Sequence, residues 1–168
     1  LIISHTPKKS KISYAYFTPT TLQRHKKFLA RIKEHPQCSI EYLTTTAKNN
    51  HIELIQIGEL NTTKKVIWLI ARQHPGETMS QWLAEGLINS LLLNDQITEQ
   101  ILANAVFFII PNMNLDGSVL GNHRTNFHGL DLNRQWHSPC KYSCPEVYFT
   151  QHKMQQTGVD LFFDVHGD

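Results

Sequence analysis

Apolar positions along this chain change period several times, and each change marks an element. Leu22, Phe28, Leu29 and Ile32 recur at helical spacing. Pro19-Thr20-Thr21 ahead of them supplies a threonine cap, and Pro36 marks the end of the helix. Residues 40–46 and 52–57 are β-branched and apolar around a polar Asn49-Asn50, which predicts two strands with a short connection. Residues 66–71 form an unbroken apolar run, as expected of a strand buried on both faces. From Thr78 onward Met79, Leu83, Leu87 and Leu91 repeat every four residues, with Trp82 beside them, and predict a helix with that stripe facing the core. A short helical piece over 97–103 leads into a second buried strand over 105–110, stopped by Pro111. Proline opens a further helix over 145–156, and residues 159–165 read as a last strand.

Strands alternating with helices predict an α/β fold: a mostly parallel, mixed central sheet with helices on both faces. Residues 111–144 break the alternation. They are rich in Asn, Gly, His and Arg, with little periodicity, and a long irregular stretch in a compact domain usually serves function. Within it, Asp116-Gly117 reads as a turn. The chain opens on Leu1 and stops at Asp168, directly after the last apolar run, which reads as a fragment of a longer protein, incomplete at its C-terminal side.

Composition narrows the function classes. The 168 residues suit one domain, with 40% apolar and 18% charged residues. A net charge of +2 is too small to argue for nucleic acid or an anionic membrane as a partner. No apolar stretch approaches the ~20 residues of a membrane span, and no signal peptide is visible. Three cysteines without framework spacing fit a reducing compartment, so the expected location is cytoplasmic. Ten histidines are many, and histidine is the commonest metal ligand.

The histidines direct attention to Arg72-Gln73-His74-Pro75-Gly76-Glu77, between the apolar run ending at Ala71 and the helix from Thr78. His74 and Glu77 are three apart at a strand-to-helix turn, so both can point to one side of the sheet edge. Hydrolytic zinc commonly takes two histidines and a carboxylate, leaving a fourth position for water. His166 is the candidate third ligand, because it too follows a buried strand, and ligands gather at that edge of α/β sheets. His128 with Asp131 repeats the spacing and competes. His137, Cys140 and Cys144 form a second cluster that could bind structural zinc but lacks an obvious fourth ligand.

Four further segments make the pattern specific. Asn114-Leu115-Asp116-Gly117, Gly121-Asn122-His123-Arg124 and Asp131-Leu132-Asn133-Arg134-Gln135-Trp136 follow the His74 turn, and Asp164-Val165-His166-Gly167 closes the chain. With the His-Pro-Gly-Glu turn these five segments, in this order, resemble the M14 metallocarboxypeptidases, closest to the cytosolic carboxypeptidase-like branch. The resemblance is dense from Arg72 to Asp168 and thinner from Tyr14. It implies a partial zinc carboxypeptidase catalytic domain over 1–168, with 1–19 as a lead-in segment.

The resemblance also implies roles. His74, Glu77 and His166 would bind one Zn2+, which polarises a scissile carbonyl and acidifies a bound water. Arg124 would be catalytic, stabilising the oxyanion. Asn133 and Arg134 would grip the substrate's terminal carboxylate, since a planar guanidinium binds carboxylate through two parallel bonds. Asp131 and Asp164 would stand behind the ligands; Asp164 shares a strand face with His166. The implied activity is removal of C-terminal residues from peptides or proteins, with acidic side chains suggested by the branch.

Two departures stand out. Leu115 occupies a position where the family usually has proline. The family's general base is a glutamate well downstream of the last metal histidine, and none of Glu34, Glu41, Glu53, Glu59, Glu85, Glu99 or Glu146 stands in such a context. The expectation is metal binding with little turnover. Two alternatives remain: a zinc amidohydrolase of the aspartoacylase and succinylglutamate desuccinylase type, against which Asp116-Gly117 argues, and a non-catalytic zinc-binding pseudoenzyme.

Overall fold

The threonine cap forms as the sequence predicts. The Thr21 side chain accepts from the Arg24 N–H, and α1 runs Leu22–Ile32, burying Phe28 and Ile32. This is seen in a computed structural model that describes residue 2 and residues 4–167; the ends of the 1–168 domain reading lie outside the described residues. The two early strands form a hairpin, β1 (Cys38–Thr45) and β2 (His51–Ile57). The later strands are β3 (Lys65–Ala71), β4 (Ala105–Ile110) and β5 (Leu161–Val165). Between them lie α2 (Thr78–Leu91), α3 (Gln96–Asn104), α4 (Leu115–Leu120) and α5 (Pro145–Thr157).

The strands make one mixed sheet in the order β1-β2-β4-β3-β5. β4, β3 and β5 are parallel, while β1 with β2, and β2 with β4, pair antiparallel. Strand alternation divides the core in two. Ile55, Leu69, Phe107 and Ile109 face Phe28 of α1, Ala84, Ile88 and Leu91 of α2, and Leu102 of α3. On the other face Leu54, Trp68, Ile70 and Phe108 meet Val147 of α5 and Leu132 of the irregular stretch. Trp68 and Phe108, neighbours in the β3–β4 register, stack with centroids 5.1 Å apart. Every residue of β4 is buried, as its unbroken apolar run requires.

This order makes β3 the switch point. The chain leaves β3 through α2 and α3 to pair β4 on one side, then returns to pair β5 on the other. The crevice outside the carboxyl ends of the strands at such a point is where open α/β sheets bind ligands.

Two expectations need correction. The Met79–Leu83–Leu87–Leu91 stripe is only partly the buried face of α2: Leu91 is buried and Leu87 packs on the core, but Leu83 is 53% exposed, and the helix also buries Ser80, Gln81, Ala84, Glu85 and Ile88. Period alone misplaced the face because its N-terminal half is polar. Those polar groups are bonded: Ser80 to the Arg72 N–H, Gln81 to the Arg72 guanidinium, Glu85 to Arg24. Asp116-Gly117 is not a free turn but the first turn of α4, capped by the Asn114 side chain on the Gly117 N–H. Asp116 is buried and accepts from Thr46, Asn50 and the Lys48 N–H, tying α4 to the β1–β2 hairpin.

Candidate metal centre

The turn from Arg72 to Glu77 is held from three sides. Arg72 adopts φ 56°, a left-handed conformation uncommon for a residue other than glycine. Its buried guanidinium donates to the carbonyls of Pro75 and Thr20, the Thr20 hydroxyl and Gln81 Oε1. Burial lowers its pKa to about 10, with Glu85 opposing, so it stays charged near neutrality. The Gly76 N–H donates to the His123 carbonyl at 2.9 Å. A Cβ on Gly117 would stand 2.6 Å from Pro75 Cγ and from the Thr125 carbonyl, so this glycine permits α4 to lie against the turn. The Asn-x-Asp-Gly segment thus packs directly on the His-Pro-Gly-Glu turn.

Glu77 stands at the N-cap of α2 but makes no side-chain cap bond. Its carboxylate turns instead between two imidazoles. His74 Nδ1 lies 2.7 Å from Oε1, and His166 Nδ1 lies 2.8 Å from Oε2. Each ring's other nitrogen meets its own aspartate: His74 Nε2 is 3.0 Å from Asp131 Oδ1, and His166 Nε2 is 3.0 Å from Asp164 Oδ2. The ligand atoms offered by His74, Glu77 and His166 all lie within 4.8 Å of one another, and no other such group occurs among the described residues. Two imidazoles whose Nδ1 atoms converge on one carboxylate, each backed by a second carboxylate at Nε2, are a donor set that fits zinc.

Asp131 is the more heavily used of the two backing carboxylates. Besides His74 it accepts from Arg124 Nε at 2.8 Å and from the Asn133 N–H at 3.0 Å, capping the 3-10 turn Leu132–Arg134. Partial burial opposes its ionisation, but the Arg124 and His74 donors outweigh it and hold the carboxyl below the ordinary range. At His166 partial burial works against the charged ring, while Asp164 and Glu77 favour it more strongly, so the pKa is raised.

A cavity of about 400 Å³ is lined by His74, Glu77, Arg124, Asn133, His166 and Gly167. Five of the six predicted site residues therefore converge. Arg134 does not line it: it is exposed, and its guanidinium donates to the Asn133 carbonyl at 3.3 Å. A larger groove of about 520 Å³, near Cys38, Lys64 and Glu99, lies at the opposite ends of the strands and gathers no such donor set.

The competing clusters do not assemble. Asp131 faces His74 rather than His128, which is exposed. Cys144 is buried in the core while Cys140 is exposed, and the Cys140 N–H donates to the Cys144 sulfur at 3.1 Å. Two participants had no assigned role in the sequence reading. Gln73 is fully buried and bridges Asp164 and Trp136. Arg72 braces the turn. A charged and an amide residue directly after a buried strand were the available signal for both.

A mixed-sheet α/β protein with a two-histidine, one-carboxylate donor set at its switch point is the class these features define. The family model Peptidase_M14, zinc carboxypeptidase, matches residues 25–162, and the chain belongs to that family. It is 40% identical over its whole length to an uncharacterized Zymomonas mobilis protein, ZMO1242, of which it covers 44%. It is 31% identical to cytosolic carboxypeptidase 3 of Bos taurus, over 95% of this chain and 17% of that one. A Pseudomonas aeruginosa metallo-carboxypeptidase, solved with (2-guanidinoethylmercapto)succinic acid, superposes with a TM-score of 0.82 at 41% identity, over 91% of this chain and 41% of that one. The chain thus spans less than half the length of these relatives.

Proposed function

We propose that this chain carries the metal and carboxylate-binding part of a zinc metallocarboxypeptidase that hydrolyses the C-terminal peptide bond of peptides or proteins. The observation that supports this best is the convergence of His74, Glu77, His166, Arg124 and Asn133 on one cavity. His74 and His166 through Nδ1, with the Glu77 carboxylate, would hold the ion. A zinc ion there supplies Lewis-acid polarisation of the scissile carbonyl and lowers the pKa of water.

The chain's own groups do the rest. Asp131 and Asp164 fix the two rings from behind. Asp131 also holds Arg124 through Nε, which leaves the guanidinium's terminal nitrogens for the developing oxyanion. Asn133 and Arg134 receive the terminal carboxylate. Arg134 gives up a single carbonyl contact for a bidentate charged one, an exchange that favours substrate. That the Pseudomonas relative takes a succinic acid derivative supports a carboxylate-directed clamp. Preference for an acidic C-terminal residue rests on the cytosolic branch resemblance, and so does a cytoplasmic location. No helix among the described residues is long and apolar enough to cross a membrane. Among the described residues Glu77 is the one carboxylate lining the cavity, and both its oxygens face imidazoles.

The test compares hydrolysis of a C-terminally glutamylated peptide with that of N-acyl amino acids by the full-length protein. Peptide cleavage with one residue released from the C-terminus is expected. Turnover of the N-acyl amino acid alone would replace this reading with the amidohydrolase one. Full zinc content in His166→Ala would overturn the ligand assignment.

A further inference from the structure

Four side chains behind the candidate metal centre form a single-file chain of hydrogen bonds. The Trp136 indole Nε1 lies 2.8 Å from Gln73 Oε1. Gln73 Nε2 lies 2.7 Å from Asp164 Oδ2, and the same Oδ2 lies 3.0 Å from His166 Nε2. We propose that Trp136 and Gln73 are positioning residues that dictate which nitrogen of His166 is presented to the metal, acting through Asp164. This rests on the zinc reading above.

Donor and acceptor chemistry sets the direction of these bonds. An indole N–H can only donate. It therefore takes the amide oxygen of Gln73, because the reversed amide would set two donors face to face. With Oε1 committed to Trp136, the amide nitrogen must point at Asp164, and it arrives as a donor. The Asp164 carboxylate accepts from Gln73 and faces His166 Nε2 as an acceptor again. Nε2 must carry its proton, and the lone pair available to a metal is on Nδ1, the atom beside Glu77. The indole sets the direction of the Gln73 amide, and the amide holds the Asp164 oxygen that His166 Nε2 meets.

The first links are held rigidly. Gln73 is fully buried, and its backbone carbonyl accepts from Asn114 Nδ2 at 2.9 Å. The Trp136 carbonyl accepts from the Gln151 amide of α5, and its ring packs beside Phe162 with centroids 6.2 Å apart. Asp164 and His166 are less enclosed, with side chains 25% and 30% exposed, so they depend on these bonds for orientation. The chain also explains why a tryptophan closes the Asp131–Trp136 segment. That segment reaches His74 through Asp131 and His166 through Trp136, and so sets both histidines.

The test is performed on the full chain loaded with zinc. Long-range 1H–15N correlation reads which imidazole nitrogen of His166 holds the metal. Zinc on Nδ1 with a proton on Nε2 is expected. Chelator competition then gives zinc affinities of variants. Gln73→Leu is expected to weaken binding about 10-fold, the lower end for loss of an outer partner of a metal ligand. Trp136→Phe, which keeps an aromatic ring and loses the N–H, should cost several-fold. The double variant should bind no more weakly than Gln73→Leu alone, because the two act in series. If Gln73→Leu does not fold, Trp136→Phe and the spectrum of the unchanged chain still decide. Zinc on Nε2 of His166, wild-type affinity in the variants, or strictly additive losses would each overturn the relay while leaving zinc binding intact. No zinc uptake by the unchanged chain would overturn the zinc reading together with it.

Discussion

His74 and His166 lie with ring centroids 4.8 Å apart and planes inclined by 42°, although the 91 intervening residues include four α-helices and two strands. Glu77 stands between them with one oxygen toward each. The pair exists only because β3 and β5 are sheet neighbours, with Ala71 opposite Val165 at their carboxyl ends.

That arrangement gives a pH dependence of definite sign. In metal-free protein the His166 pKa is raised by Asp164 and Glu77 against the opposing effect of burial. Its contribution to stability is complete below the ordinary histidine pKa of about 6.5 and is lost as pH rises through the raised value. Zinc must displace the Nδ1 proton, so affinity should climb over the same interval. Thermal denaturation of metal-free protein and zinc titration, each from pH 6 to pH 9, should change in opposite directions. Parallel trends would contradict the assignment.

Glu146 offers a second, independent titration. It is 2% exposed, Oε2 has no partner among the described residues, and burial pushes its pKa to about 7, with Asp116 adding to the rise. The unfolded chain releases this proton near pH 4.5 while the folded one retains it. Stability should therefore fall as pH rises from about 4.5 to about 7, by roughly 3 kcal/mol in all. Glu146→Gln should flatten that part of the stability curve. An unchanged slope in urea denaturation across this range would show that the carboxyl is ionised in the fold.

Gly117→Ala should destabilise the site from outside it. The added methyl would sit 2.5 Å from Asn114 Oδ1 and 2.6 Å from Pro75 Cγ and the Thr125 carbonyl. Two of these three neighbours belong to segments that carry or brace the metal turn. Overpacking of this kind costs about 1–3 kcal/mol. A fall in Tm of several degrees together with weaker zinc binding is expected, and unchanged zinc affinity would mean that α4 can move without carrying Pro75.

Arg72 can be tested with a pair of variants. Arg72→Met leaves the Thr20 and Pro75 carbonyls without this donor, while Gln81 Oε1 keeps the Thr20 hydroxyl and the Asn112 amide, and should cost about 3 kcal/mol. Arg72→Gly loses the same bonds but is free to adopt φ 56°. It should be the milder variant by about 1 kcal/mol, the strain of a non-glycine residue there. Chemical denaturation of both gives the difference directly. Equal losses would show that the left-handed backbone stores no strain.

Much of this was legible in the chain itself. Period and capping residues locate α1, α2, α5 and the buried strands because those signals are local: a run such as 105–110 has only one satisfactory environment, the interior of a sheet. The ordered segments from His74 to His166 name five of the residues that line the cavity besides Gly167. What failed also had a physical reason. The buried face of α2 is set by polar partners on α1 and in the turn after β3, which hydrophobic spacing cannot register. Asp116 looked like a turn residue because its three partners come from a hairpin some 70 positions away.

The sequence by itself determined the elements and supplied a histidine and a glutamate three residues apart. Which distant groups complete that pair is a matter of strand order. Only the β4-β3-β5 arrangement brings His166 to Glu77, and only the folded loop carries Asp131 to His74 and Trp136 to Gln73. Hydrogen-bond direction adds to this, since an indole that can only donate decides which end of the Gln73 amide faces Asp164.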